Sequence, residues 1–519
     1  MTEHEQLGAP AGPEGRPTRP ERVPPQAPAP ARPETSARPE TSARPETPAR
    51  PGPDGDGTAA PWPDMMLPLL RTPTADRQPA PEVAGADPPA GVEPAQVLDL
   101  ALLVGELLLA SGEAAEDVEA AMLAVAHAYR LHPCDPQVTF TRVAISYQPG
   151  PSETSLTAEC SVRRPAVDYA RLAAVFRLVI EISAGGMAVP EAHDRLVAAR
   201  RHSHRYSGRL FVLCCGGMAG AATLLIGGRA DARAWLVFAS AVVAALTGER
   251  LSALVARHDL PAFYQFVVAA VPAAVIGILL SFNGLHLRGS VVITGGLYAV
   301  LPGWPMVAAA QDGLAGFYLT AAARLLEALY LMAGVVIGVM TVLYVGVNNG
   351  ADLAAQDVPP GAVNPPLQLA AAVLLTLAFA VLLNTEPGTL PAVLLNSAAG
   401  WTTYGVLVNA GGEPILATGL AAGLVGLSGQ LMARCRGSSA LPHITAALGP
   451  LLPGSVLYFG MLAFVRGEPE VGLSGIGRAG AMAMALAIGV NLGRELARLF
   501  LPAPRVVAPR RRRRGRHRR

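Results

Sequence analysis

From Arg209 to Glu495 the chain is a succession of ten apolar runs, at about 210–228, 232–248, 263–282, 289–310, 324–347, 366–384, 389–409, 413–433, 443–465 and 473–493. Each is long enough, or nearly so, to cross the ~30 Å of bilayer hydrocarbon as a helix. An ordinary water-soluble fold is excluded, in keeping with a hydrophobic fraction of 51% and a mean hydropathy of +0.35. Charge is segregated into the amino-terminal part and the tail. The widest gap, "NNGADLAAQDVPPGAVNPP", carries no arginine and divides the runs into five plus five.

The two sets of five share wording. "ITGGLYAVLPG" at 293–303 returns as "ITAALGPLLPG" at 444–454, an offset of 151 residues, on the fourth run of each half. Ile293, Thr294, Leu297, Leu301, Pro302 and Gly303 meet Ile444, Thr445, Leu448, Leu452, Pro453 and Gly454, and "IGV" at 337–339 meets "IGV" at 488–490. Five is odd, so the second half enters the membrane from the opposite side, and the halves are expected to be inverted repeats. Proline removes a backbone donor and pushes away the carbonyl four residues back, freeing polar groups that lipid cannot satisfy. Two broken helices at related places therefore form an expected solute site: Thr294, Pro302, Gly303, Thr445, Pro453 and Gly454. The plainer reading is a kink that aids packing, with the threonine hydroxyls bonded to their own helices.

Ten spans leave both termini on one side. The tail "RVVAPRRRRRGRHRR" marks it as cytosolic by the positive-inside rule, with Arg250, Arg257, Arg434 and Arg436 in agreement and Arg229, Arg233 and Arg466 against. The acidic, proline-rich amino terminus shows no signal peptide and is expected to stay there too. Charges within the membrane part are few, and burying one near mid-helix costs ~2.5–3.5 kcal/mol. Asp312, in "AAAQDGLAG", is the expected proton-coupling carboxylate. Arg324 and Glu327, i and i+3, are expected to pair along one face. The alternative for all three is that they mark the cytosolic membrane boundary.

Residues 1–94 carry "ARPETS" at 31–36 and 37–42 and "ARPETP" at 43–48, a proline- and charge-rich period expected to remain a disordered tether. Residues 95–206 read as a small soluble α+β domain: two amphipathic helices, short strand-like runs, then two more helices. His127, His132, Cys134, Asp135, Glu159 and Cys160 fit no metal or nucleophile spacing, and Cys214 and Cys215 read as small packing residues. All basic side chains other than histidine are arginine, so no P-loop can exist. No cofactor, metal or enzymatic activity is expected, nor any nucleic-acid partner.

"LLVGELLLASGEAAEDVEAAMLAVAHAY" and "LPGWPMVAAAQDGLAGFYLTAAARLLEAL" resemble the threonine/serine exporters of actinobacteria, and the resemblance covers roughly 95–495. It implies secondary export of threonine and serine driven by the proton-motive force. Asp312, Arg324 and Glu327 match polar positions of the family stretch. Relatives with separate half-subunits look like succinate exporters, so a dicarboxylate stays open, as do a passive channel and a membrane-anchored enzyme with a catalytic 95–206 domain. The long tether and the arginine tail depart from the family pattern.

The expected architecture is an α-helical polytopic protein of the plasma membrane, with two five-helix inverted repeats (ten transmembrane helices) preceded by a small soluble α+β domain and a disordered Pro-rich tail. Its boundaries are 1–94 tether, 95–206 cytosolic domain, 207–348 first repeat, 349–365 extracytoplasmic linker, 366–496 second repeat and 497–519 cytosolic tail. Expected partners are threonine or serine, protons and the bilayer, with anionic lipid headgroups a candidate for the arginine tail.

Overall fold

Pro94 opens the first helix, where a missing N–H costs nothing, and the computed structural model follows the chain from there through nearly all its apolar runs. It describes Met66 and residues 92–150, 152–162, 167–201, 205–282, 288–301, 303–351, 353 and 364–500. The "ARPETS" tether, the arginine-rich tail, Pro302 and most of the 349–365 linker lie outside the described residues.

The amino-terminal layer consists of α1 (Pro94–Ala110), α2 (Ala115–Ala128), β1 (Cys134–Val138), β2 (Arg142–Tyr147), β3 (Leu156–Ser161), α3 (Tyr169–Ser183) and α4 (Val189–Arg201). Helix α1 ends at Ser111, and Gly112 turns the chain at φ 98°. Glu116 and Asp117 occupy the first turn of α2, where the helix dipole favours negative charge. The strands form an antiparallel meander in the order β1-β2-β3. Val143, Ile145 and Tyr147 alternate onto its buried face against Leu98, Leu108 and Met122. A Cβ at Gly105 would lie 2.6 Å from the Met122 sulfur and 2.8 Å from Val143, so α1 sits hard against both α2 and the sheet.

Among the described residues the apolar part has seven helices long and apolar enough to cross a membrane: α5 (Gly208–Gly227), α6 (Ala232–Arg257), α7 (Ala262–Phe282), α10 (Tyr318–Asn348), α11 (Pro365–Leu382), α13 (Pro414–Arg436) and α16 (Pro469–Phe500). A bent pair adds an eighth if taken as one span: Leu441–Leu451, which is α14 (Leu441–Thr445) plus a 3-10 turn, and α15 (Gly454–Val465), meeting at 42°. Two of the ten expected spans take a different form. The run at 289–310 is divided into α8 (Gly289–Tyr298), only ten residues, and α9 (Gly303–Leu314). Helix α12 (Leu390–Asn409) is twenty residues long but diluted by Asn396, Ser397, Thr402 and Thr403.

Leu213, Trp235, Leu326, Leu416, Leu473 and Leu492 are exposed on the outside of this bundle, whereas glycine and alanine line its helix contacts. That is the arrangement of a polytopic membrane protein, in which lipid takes the outer face and small residues let backbones approach. The same contacts occur in both halves. α7 packs on α10 as α13 packs on α16. A Cβ at Gly277 would strike Ile293, and one at Gly429 would strike Ile444. Gly338 lies against the carbonyl of Val267, and Gly489, at the offset of 151, lies against that of Gly419.

Candidate functional site

The two helix breaks meet. In the second half the 3-10 turn ends at Leu452, whose backbone is extended, and Pro453 caps the start of α15. In the first half α8 ends at Tyr298, whose hydroxyl donates to the carbonyl of Leu452 at 2.7 Å. A Cβ at Gly454 would lie 2.8 Å from the Tyr298 ring, so glycine at this position permits the approach. One break thus supplies a side-chain donor to a carbonyl at the other, which also accepts the Gly454 amide at 2.9 Å.

The remaining residues expected at this site have separate surroundings. Thr294 is fully buried, and its hydroxyl donates to the carbonyl of Ser290 at 2.8 Å, four residues back on its own helix. Thr445 is buried where α-helix passes into the 3-10 turn. Gly303 begins α9. The structure therefore joins Pro453 and Gly454 to the end of α8 and leaves Thr294 in a helical bond. Asn396, which the repeat gave no reason to choose, holds this region together: its amide donates to the carbonyls of Val425 and His443, 3.0 Å each.

Beside the joined breaks lies a cavity of about 500 Å³. It runs from Pro365 and Asn409, at one end of α11 and α12, to Pro453 and Ser455 at the second break. Tyr298, Gln368, Trp401 and Tyr404 stand along it.

A second cluster lies at the other end of the bundle, under the amino-terminal layer. Asp312 and Arg324 form a 2.7 Å ion pair, both buried. The other Asp312 oxygen accepts the Ala115 amide, at the start of α2, at 3.0 Å. Arg324 also donates to the carbonyl of Glu113 at 3.1 Å. The Glu113 carboxylate accepts the hydroxyl of Ser439 at 2.7 Å. Arg494 and Arg498, near the end of α16, reach Asp117 at 3.2 and 3.4 Å. Burial, with Asp117 nearby, pushes the Glu113 carboxyl up to about 7, against the opposing pull of Ser439 and Arg494.

Arg324 was expected to pair with Glu327; its ion pair is with Asp312, while Glu327, half-buried, stands about one turn further along. Glu113, Ser439 and Arg494 were not foreseen. The only local signal was the acidic first turn in "SGEAAEDVE". A further set of bonds fastens the layer at α3: Asn384 donates to Asp168 at 2.8 Å, and Arg177 pairs with Glu386 at 2.7 Å.

The histidine and cysteine candidates assemble no nucleophile. His127 and His132 meet edge to face, and burial holds His127 down at about 3. Cys134 is buried with its thiol pushed up to about 12, so it is not a thiolate at neutral pH. Among the described residues no group of three or more His, Cys, Asp or Glu could hold a metal ion.

Residues 99–346 match the sequence model of a family described as "Putative threonine/serine exporter". Residues 368–494 match a second, described as "Threonine/Serine exporter, ThrE". The chain is 32% identical over 413 residues to a "Probable threonine/serine exporter" of Mycobacterium tuberculosis, an alignment covering 78% of this chain and 76% of that protein. It is 29% identical over 418 residues to a "Threonine/serine exporter" of Corynebacterium glutamicum, covering 79% and 84%. No solved structure matches.

Proposed function

The chain belongs to the threonine/serine exporter family, and we propose that it exports L-threonine and L-serine across the cell membrane by alternating access, in exchange for protons. The observation that carries this reading is the meeting of the two breaks at Tyr298 and Leu452 beside a cavity inside an apolar bundle. Broken helices at the interface of two repeats are where secondary transporters hold small polar solutes. The paired contacts of Gly277 with Ile293 and of Gly429 with Ile444 support two halves of like construction. Ten spans in two inverted sets of five, with α8–α9 and α14–α15 as the broken fourth spans, are the topology we assign.

The arginine-rich tail supports a cytosolic side for both termini. The cavity mouth at Pro365 and Asn409 then faces outward, and the Asp312–Arg324 cluster faces the cytosol, closed by the amino-terminal domain. A proton reaching Asp312 neutralises the partner of Arg324 and weakens the acceptor that holds the Ala115 amide. The cytosolic closure loosens, and solute enters from inside. Loss of that proton restores the latch and commits the solute to the outward cavity. Asp312 and Arg324 are the coupling pair, with Glu327 beside them, and Pro453 and Gly454 contribute to the solute site.

The test is threonine efflux from cells preloaded with a threonine dipeptide, comparing vector, wild type and Asp312→Asn at equal expression. Wild-type efflux above vector, abolished by an uncoupler and by the substitution, is expected. Efflux equal to vector would remove threonine as substrate, with succinate the next solute to assay. Efflux that survives Asp312→Asn would confine Asp312 to a structural role.

A further inference from the structure

Arg229 and Arg233 run against the positive-inside trend of the sequence, and the fold gathers them in one place. The turn from α5 to α6 and the start of α8 enclose a small cavity of about 80 Å³, walled by Arg229, Asp231, Arg233 and Arg288 together with Thr223 and Gly227. It lies at the end of the bundle where Gln368, near the start of α11, bonds to Leu225. The amino-terminal layer holds the other end of α11, where the Tyr169 amide donates to the carbonyl of Leu383 at 3.1 Å.

The fold already uses two of these side chains. Asp231 caps α6 by accepting the Ala234 amide at 3.2 Å, and Arg288 reaches the carbonyl of Gly227, at the end of α5, at 3.5 Å. Arg229 and Arg233 are exposed and, among the described residues, form no ion pair. Three guanidinium groups thus share the cavity with one carboxylate, itself engaged as a cap.

The second half shows how the equivalent place is neutralised. Gly228 at φ 61° and Asn384 at φ 54° turn the chain after the first helix of each half, and Asp231 and Thr389 precede the second. Arg288 and Val291 stand at the offset of 151 from Ser439 and Pro442. Asp231, Arg288 and Val291 wall the first cavity; Thr389, Ser439 and Pro442 wall one of about 230 Å³ in the second half. There the turn carries an acid, Glu386, to which the amino-terminal layer supplies Arg177 at 2.7 Å and the chain just beyond it Arg205 at 3.5 Å. In the first half arginine stands in the turn instead, and the layer is at the opposite end. The counter-charge must come from outside the chain.

Depth decides its source. Trp235 and Leu236, next to Arg233 near the start of α6, are exposed, and a tryptophan so placed on a spanning helix marks the level of lipid headgroups. The volume is well below the ~300–1,000 Å³ of small-molecule sites, so it suits one anionic group and not a whole solute. Guanidinium matches phosphate through parallel N–H donors.

We propose that this cavity seats the phosphate of an acidic phospholipid, held by Arg229 and Arg233 with Arg288 beside them. A zwitterionic lipid brings an ammonium that the same arginines repel, so a lipid of net negative charge is preferred. The site is separate from the solute path, and it stands whatever solute the chain carries. Its occupant ties the α5–α6 turn to the start of the first broken span.

The experiment uses the full-length chain in phosphatidylcholine nanodiscs doped with a phosphatidylglycerol that bears a photoactivatable group beside its phosphate. Digestion by a protease that does not cut at arginine separates labelled peptides of this site from those of the arginine-rich tail. Label is expected on the peptide containing 228–236, displaced by unlabelled phosphatidylglycerol but not by phosphatidylcholine or inorganic phosphate. In Arg229→Gln with Arg233→Gln it should fall about tenfold or more, as the loss of two basic groups at a charged membrane surface implies, while labelling of the tail is unchanged. Displacement by inorganic phosphate would make the ligand a soluble anion and overturn the lipid. Equal labelling by a phosphatidylcholine probe, or labelling that the double substitution leaves intact, would overturn the site itself. Both substituted side chains are exposed, and the displacement series on wild type needs no variant to fold.

Discussion

Asp312 and Arg324 sit 2.7 Å apart beneath the start of α2, so a single ion pair joins two segments of the bundle to the amino-terminal layer through the Ala115 amide and the Glu113 carbonyl. Breaking a buried pair by removing one partner leaves the other charge uncompensated, at ~3–5 kcal/mol. Asp312→Asn is therefore expected to lower the thermal stability of the purified chain as well as its coupling. The double variant Asp312→Asn with Arg324→Gln, which removes both charges, is expected to regain most of the stability but none of the uncoupler-sensitive efflux. Recovery of both together would show the pair to be structural only.

The Glu113 carboxyl gives the same interface a pH dependence. Its folded value of about 7 stands above the ordinary 4.5, so between those limits the folded state binds the extra proton. A carboxyl with a raised value stabilises the docked, folded form at low pH and loses that contribution as pH rises through 7. The shift corresponds to at most on the order of 3 kcal/mol. Protection factors of the amides at 111–117, which are rates corrected for base-catalysed intrinsic exchange, should fall between pH 5 and 8 in wild type and stay flat in Glu113→Gln. Ser439→Ala, which removes the hydroxyl donated to the carboxylate, should move the transition to higher pH.

Much of the helical layout was legible because its causes are local. Apolar runs of about twenty residues, Pro94 at a first turn, the acidic start of α2 and the Leu-Pro-Gly breaks each act within a few positions. The partner of Arg324 is not of that kind. Spacing places Glu327 on its own helix face, whereas Asp312 reaches it only because the chain reverses between α9 and α10, with Gly316 at φ 92°. Glu113 and Ser439 are 326 residues apart, and no period joins them. In the sequence Gln368 is a single polar residue at the start of an apolar run; only packing shows that one end of its amide is used and the other is not.

The small residues between helices make a separate prediction about the repeat. Gly277→Ala and Gly429→Ala place a methyl against the side chains of Ile293 and Ile444. Overpacking of this sort costs ~1–3 kcal/mol. Trimming the neighbour, as in Gly277→Ala with Ile293→Ala, which removes the Cγ1 that the new methyl meets, should recover part of the loss in thermal unfolding, and the cycle at Gly429 and Ile444 should give a coupling of like sign. Gly489→Ala should not be rescued by any side-chain change, because its methyl meets the backbone of Gly419 and the helices themselves must part. Additive effects within each glycine–isoleucine pair would argue against the contacts.

Tyr298→Phe tests whether the joined breaks matter for transport. The substitution keeps the ring beside Gly454 and removes only the hydrogen bond to Leu452. The Leu452 carbonyl keeps the Gly454 amide at 2.9 Å, so the loss is that of one hydrogen bond between the two breaks, ~0.5–1.5 kcal/mol. Because the bond joins the two breaks, threonine affinity should change by less than about threefold, which is ~0.7 kcal/mol. The maximal efflux rate should fall further than affinity, since the two breaks would no longer move as one. A loss confined to affinity would instead make the Tyr298 hydroxyl part of the binding site, and an unchanged rate would mean that the two halves communicate elsewhere.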